Sequence, residues 1–327
     1  DFQYEIIRRR TEFDRKKAAE RAHILEGLKV ALDFIDEVIA IIRKSKDQAS
    51  AKTALMERFS LDEPQVMGIL NVTPDSFFAT SRCRSEEEIR QRVCMMRREG
   101  ATMVDIGAYS SRPGAEEVSV EEELRRLLPA VGIVREEWPD AIISVDTFRA
   151  EVARQAVEAG ADIINDISGG EMDKDMFRTV AELHVPYILM HMQGTPQDMQ
   201  KAPHYDNLMC EVFRSLGERV EELHEMGVAD VIVDPGFGFS FGKTMAQNYE
   251  MMARLGEFRL LGCPILVGIS RKTMIYRLLD ATPEESLNGT TALNTIALMN
   301  GASILRVHDV KEAVEAVKIY RQCLISE

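Results

Sequence analysis

The chain has 327 residues, 45% of them hydrophobic and 29% charged, which is length for one large domain plus an appendage and too apolar for disorder as the main state. Its 40 basic and 54 acidic side chains leave a net charge of −14, which argues against nucleic acid as a partner. Five cysteines with no C-x-x-C spacing exclude a disulfide scaffold and a zinc finger and point to a reducing cytoplasm, and no apolar run is long enough to span a membrane or act as a signal peptide.

Residues 1–65 hold 13 basic and 13 acidic side chains, so the whole net charge lies in 66–327. Leu25, Leu28, Leu32, Ile35, Ile39 and Ile42 alternate steps of three and four, the seam of a helix expected over about 8–46. A polar break at 44–50 and a short helical run at 52–59 follow. The wording RTEFDRKKAAERAHILEGLKVALDFIDEVIAIIRKSK, then ALMERFSLDEPQ, resembles the coiled-coil arm of the DNA gyrase A subunit. That resemblance implies a helical appendage at 1–60 and brings no chemistry, because the family's strand-cleaving tyrosine and DNA-binding domain are absent. A second domain then occupies 61–327.

From Val66 the pattern becomes short apolar runs alternating with helical stretches. Strands are expected at 66–71, 102–107, 142–146, 162–166, 186–191, 230–234, 264–270 and 303–308. Helices are expected at 86–98, 120–137, 150–158, 176–183, 207–226, 246–260, 291–299 and 310–320. Apolar runs without alternation suit parallel strands buried on both faces. Eight strand–helix units over this length fit a TIM (β/α)8 barrel, an α/β fold. An open doubly wound sheet is the second choice, and it lacks its G-x-G-x-x-G turn.

The expected strands close on polar residues: Asn71, Asp105, Asp146, Asn165, His191, Asp234, Ser270 with Lys272, and Arg306 with His308. In such a barrel the carboxyl ends of the strands converge on the face that carries the active site. Carboxylates at one part of that mouth, with Lys272, Arg306 and His308 as cations at another, suit a substrate with a hydrogen-bond-donating ring and an anionic group. His184, His204 and His224 fall in or beside helices and read as surface or packing residues.

The motifs NVTPDSF, DIGAYSSRPGA, SVDTF, NDISGG, MHMQGTPQDMQ, DPGFGF, VGISRK and RVHDV, in this order, resemble the dihydropteroate synthases. The resemblance implies a pterin-binding TIM barrel over about 60–327. It further implies a magnesium-dependent transfer joining 7,8-dihydropterin-6-ylmethyl diphosphate to 4-aminobenzoate, with diphosphate released and sulfonamides competing for the aminobenzoate position. On matching positions, Asp146, Asn165 and Asp234 are expected to accept hydrogen bonds from the pterin edge, and Lys272, beside Ser270, to reach a ring acceptor and place the aminobenzoate. Ile167 and Met190 would wall the pocket. Arg306 and His308 would grip the diphosphate, Asn71 would bind magnesium, and a mobile loop would bring Ser111 and Arg112. Asp146, Asp234, Lys272 and Arg112 are the expected catalytic set, and a homodimer is implied.

Two stretches depart from the family pattern. After Asp75, Ser76, Phe77 and Phe78, the residues Ala79, Thr80 and Ser81 replace a loop carboxylate and two glycines. Asp234 is followed by PGFGFSFGKT, two residues longer before Lys243 than the family's D-P-G-x-G-F-x-K. The extra aromatic ring is Phe239 or Phe241, depending on where the gap falls, and it would reshape the aminobenzoate wall against sulfonamides. The closing GKT is no P-loop, because Phe237 stands where that motif needs glycine. A pterin-binding methyltransferase, and a weakly active barrel serving as an assembly module, are the alternatives.

Overall fold

The protein is described by a computed structural model covering residues 64–73, 85–109, 118–193 and 204–325. The helical seam expected at 25–42 and the altered loop at 79–81 lie outside these residues. Strand β1 (Gln65–Asn71) sets the logic of the barrel. Successive side chains alternate faces, so Met67, Ile69 and Asn71 share one face while Gly68 and Leu70 share the other. The second face meets helices: a Cβ on Gly68 would lie 2.8 Å from the Met96 sulfur and 3.1 Å from Val310. Both faces are therefore covered, and the strand reads as an unbroken apolar run.

The chain continues through α1 (Glu86–Glu99), β2 (Met103–Gly107), α2 (Val120–Glu137), β3 (Ile142–Asp146), α3 (Ala150–Glu158) and β4 (Ile163–Asp166). Next come α4 (Met176–Leu183), β5 (Tyr187–Met190), α5 (Leu208–Glu225), β6 (Val231–Asp234) and α6 (Met245–Ala253). The last elements are β7 (Leu266–Val267), α7 (Thr273–Leu278), α8 (Leu287–Met299), β8 (Ile304–Val307) and α9 (Val310–Ile325). Local chemistry marks their starts. The Ser85 and Ser119 hydroxyls accept from the backbone N–H of Glu88 and Glu122, and Thr244 with Gln247 forms a capping box on α6.

All pairings are parallel, in the order β6-β5-β4-β3-β2-β1-β8-β7. A bridge between Val233 and Ile265, with the Val233 N–H donating to Pro264 O at 2.9 Å, joins the two ends. This is the TIM barrel expected from the strand count. Strand β7 is shorter than the expected 264–270. Its ladder with β8 stops at Val267, and three residues on the Ser270 hydroxyl, rather than a backbone carbonyl, accepts the His308 N–H at 3.1 Å. The helix expected at 246–260 stops at Ala253 and gives way to a 3-10 run, Leu255–Leu261. Helix α7 was not foreseen, being too short to show a helical period.

Met67, Met103, Ile163, Ile188, Ile232, Leu266 and Ile304, one from each of seven strands, form a cluster that fills the lower barrel. Two residues further along four of those strands, the inward positions carry Asp105, Asn165, Asp234 and Arg306. The barrel core thus turns polar one pleat below its rim.

Candidate active site

One cavity at the carboxyl ends of the strands gathers nearly the whole expected set. Asn71, Asp146, Asn165, Ile167, Met190, Asp234, Phe239, Phe241, Ser270, Lys272, Arg306 and His308 all line it. Ser111 and Arg112 lie outside the described residues. Asp105 is corrected: it does not end its strand but sits one pleat below Gly107, 0% exposed.

Arg306 occupies the floor. Its Nε donates to Asp105 at 2.6 Å and its Nη2 to Asp146 at 2.8 Å. Burial opposes the Arg306 charge, but Asp105 and Asp146 outweigh it and keep the guanidinium protonated. Burial also pushes the Asp146 carboxyl up, to about 7, against the pull of Arg306 and with Asp105 adding to the rise. Asp234 is raised by burial too, opposed by Lys272 and by the Gly236 N–H that donates to it at 2.8 Å.

Lys272 donates to Phe237 O at 2.7 Å and lies 4.7 Å from the centre of the Phe241 ring. Burial lowers its amine to about 8, with Asp234 opposing, so it stays mostly cationic at neutral pH. His308 departs from expectation. Burial, then Arg306 and the neighbouring Arg92, Arg271 and Lys272, depress it to about 3, so it is a neutral imidazole and not a cation.

The two candidate phenylalanines face different surroundings. Phe241 joins Phe148, Ile167, Met190 and Met192 in an apolar cluster on the pocket wall. Phe239 packs against the main core, with the Arg277 guanidinium 5.4 Å from its ring centre. The lengthened stretch is tied from below. Gly238 N donates to Asn248 Oδ1 at 2.6 Å, and the buried Lys243 amine donates to Phe241 O at 3.2 Å.

Sequence reasoning missed three contributors. Tyr109, which lines the cavity, meets Phe148 edge-on at 4.9 Å and was visible only as one letter of DIGAYSSRPGA. Arg271, also on the wall, is ion-paired to Asp309 at 2.8 Å. Lys243 was seen only as part of a failed phosphate motif, and its burial follows from the fold.

Among the described residues no group of three or more His, Cys, Asp or Glu is placed to hold a metal. Asn71 Oδ1 accepts from Thr73 N at 2.9 Å and from the Thr73 hydroxyl at 2.6 Å. It could offer a cation one neutral oxygen only if that hydroxyl turned away. A hard cation that keeps most of its waters and takes the rest of its ligands from a substrate phosphate can use such a donor.

Residues 67–308 match the family described as pterin binding enzyme, and residues 1–99 match the family formed by the A subunits of DNA gyrase and topoisomerase IV. The chain is 46% identical over 266 residues to a dihydropteroate synthase of Escherichia coli strain K12, covering 81% of this chain and 93% of that protein. A Yersinia pestis dihydropteroate synthase solved with a sulfonamide drug superposes with a TM-score of 0.77 at 42% identity, over 81% of this chain and 95% of that one. A Xanthomonas albilineans dihydropteroate synthase with 4-aminobenzoic acid superposes with a TM-score of 0.73 at 41% identity, over 80% and 94% of the two chains.

Proposed function

We propose a division of labour among the rim residues that starts from one fact: the chain belongs to the dihydropteroate synthase family of pterin-binding enzymes. It is a transferase that condenses 7,8-dihydropterin-6-ylmethyl diphosphate with 4-aminobenzoate, giving 7,8-dihydropteroate and diphosphate. The observation carrying the residue assignments is the juxtaposition of Asp146, Asn165 and Asp234 with Lys272 and Arg306 in one cavity.

Asp146, Asn165 and Asp234 accept hydrogen bonds from the donor-rich pterin edge, and Ile167 and Met190 flank the ring. Lys272, with Ser270 beside it, serves a ring acceptor and the aminobenzoate. Arg306 begins in the grip of two carboxylates. A pterin that takes up Asp146 loosens one of those contacts and frees an N–H for the diphosphate. His308, being neutral, contributes a hydrogen bond to the diphosphate and no charge. The family resemblance adds Ser111 and Arg112 to this set.

Departure of diphosphate leaves positive charge on the methylene carbon of the conjugated pterin. Asp146 and Asp234 stabilise it from positions fixed before the reaction, in surroundings where a charge interaction is stronger than in water. The neutral aniline nitrogen then attacks, so no strong general base is needed. Asn71 would hold a magnesium ion, which would supply charge neutralisation for the leaving diphosphate.

The ring of Phe241 at the aminobenzoate wall supports discrimination against sulfonamides. Inhibition by sulfamethoxazole at concentrations typical of a sensitive enzyme would reject that part of the reading. Leu278 (55% exposed), Met299 (72%) and Ile319 (64%), on α7, α8 and α9, support a homodimer through the barrel's last helices. Cys94, Cys210, Cys263 and Cys323 are free thiols, and no described helix is long and apolar enough to cross a membrane, which supports a cytoplasmic enzyme.

A diphosphate-release assay tests the whole. Sustained, multiple-turnover release is expected only with both substrates and magnesium present, and Asp146→Ala, Asp234→Ala and Lys272→Ala each reduce it at least about 100-fold. Folded protein without release would favour the assembly-module alternative.

A further inference from the structure

Asp105 lies beneath the substrate pocket on β2 and is 0% exposed. Its partners come from three other strands. The Ser144 hydroxyl donates to it at 2.6 Å, the Asn165 amide nitrogen lies 3.3 Å from both of its oxygens, and Arg306 Nε donates at 2.6 Å. A carboxylate only accepts hydrogen bonds, so whatever faces it must be a donor. The Asn165 side chain has one donating end and one accepting end. With the NH2 turned to Asp105, the carbonyl oxygen is left for the pocket that Asn165 lines.

We propose that Asp105 is a positioning residue: it fixes the Asn165 amide with its oxygen toward the pocket, and so lets the site select a ring that offers N–H donors. The inference rests on the pterin reading above and deepens it. Reversal of the amide would present an NH2 to a donor edge, two donors facing each other. The same carboxylate holds the Arg306 guanidinium across the floor, where Asp146 takes its other arm at 2.8 Å. Selectivity at the rim thus depends on a charge that the substrate never touches.

The test uses the full chain and 6-hydroxymethylpterin, a pterin without diphosphate, with binding followed by calorimetry. Asp105→Asn removes the demand for a donor and frees the Asn165 amide to turn. Pterin affinity is expected to fall at least about tenfold, while KM for 4-aminobenzoate changes by less than about threefold. The paired exchange Asp105→Asn with Asn165→Asp restores an acceptor to the pocket in either orientation. It is expected to recover affinity to within about fivefold of the unsubstituted enzyme. Affinity unchanged by Asp105→Asn, or lost and not recovered by the exchange, overturns the proposal. If the single variant does not fold, the exchange variant carries the test alone, with weak pterin binding as the overturning result. Asn165→Ala separates the two levels: unchanged pterin binding there would sink the pterin reading itself, and not merely the part given to Asp105.

Discussion

The Lys243 amine lies 3.1 Å from Nδ1 of His191, two basic groups facing each other with 1% and 6% of their surfaces exposed. Burial, then the Lys243 charge, keeps the imidazole neutral, so Nδ1 is free to accept. Burial also lowers the amine from 10.5 to about 7, with Asp234 pulling it up and Lys272 pushing it further down. Between those two values the unfolded chain binds more protons than the folded one. Stability from this group is therefore fully present above about 10.5 and is lost as pH falls toward about 7. The stability of the unsubstituted enzyme minus that of Lys243→Met is expected to become more positive from about pH 7 to about pH 9. A difference that stays constant across that range would show that the lysine does not titrate there.

Arg306→Met leaves Asp105 and Asp146 close together without their shared cation. Removing one partner of a buried charge cluster costs about 3 kcal/mol near neutral pH. Urea unfolding is expected to show that loss, and to show less of it near pH 5, where protonation of Asp146 relieves the repulsion. An equal loss at both values would mean that packing and not charge sets the penalty.

Asp146 titrates in the opposite sense to Lys243. Its carboxyl is raised from 3.8 to about 7, so its stabilising contribution is present below about 3.8 and lost as pH rises to about 7. Pterin binding runs the other way, because the ionised form is the better acceptor. Affinity for 6-hydroxymethylpterin is expected to rise several-fold from about pH 6 to about pH 8, with Asp146→Asn flattening the curve. A flat profile in the unsubstituted enzyme would place the ionisation elsewhere.

Two glycine-to-alanine changes have opposite expected signs. Gly236 has φ +74°, and a Cβ there would fall 1.9 Å from His191 O. Gly236→Ala is expected to cost more than about 2 kcal/mol and to raise KM for 4-aminobenzoate by displacing the Phe237–Phe241 stretch. Gly132 lies inside α2 with nothing within 4 Å of its added Cβ, and Gly132→Ala is expected to gain up to about 1 kcal/mol. Thermal melts of the two variants check both signs.

Helices α2, α3 and α4 and strand β3 match their expected bounds, because the apolar periods that define them are written within a few residues of one another, with a Ser119 cap added at the start of α2. The ordered motifs, and the polar residues near the strand ends, made the pterin-binding barrel and twelve of its cavity residues readable from the chain alone. Partnerships between distant strands were not readable. Arg306 meets carboxylates 160 and 201 residues away, and that pairing sets a residue read as a phosphate grip inside a buried network as well. Nor were charge states: His308 read as a cation and Lys243 as a fragment of a failed motif, until neighbours from several elements stripped both of water. A proton's affinity sums over everything packed around its site, and only closure of the barrel brings those terms together.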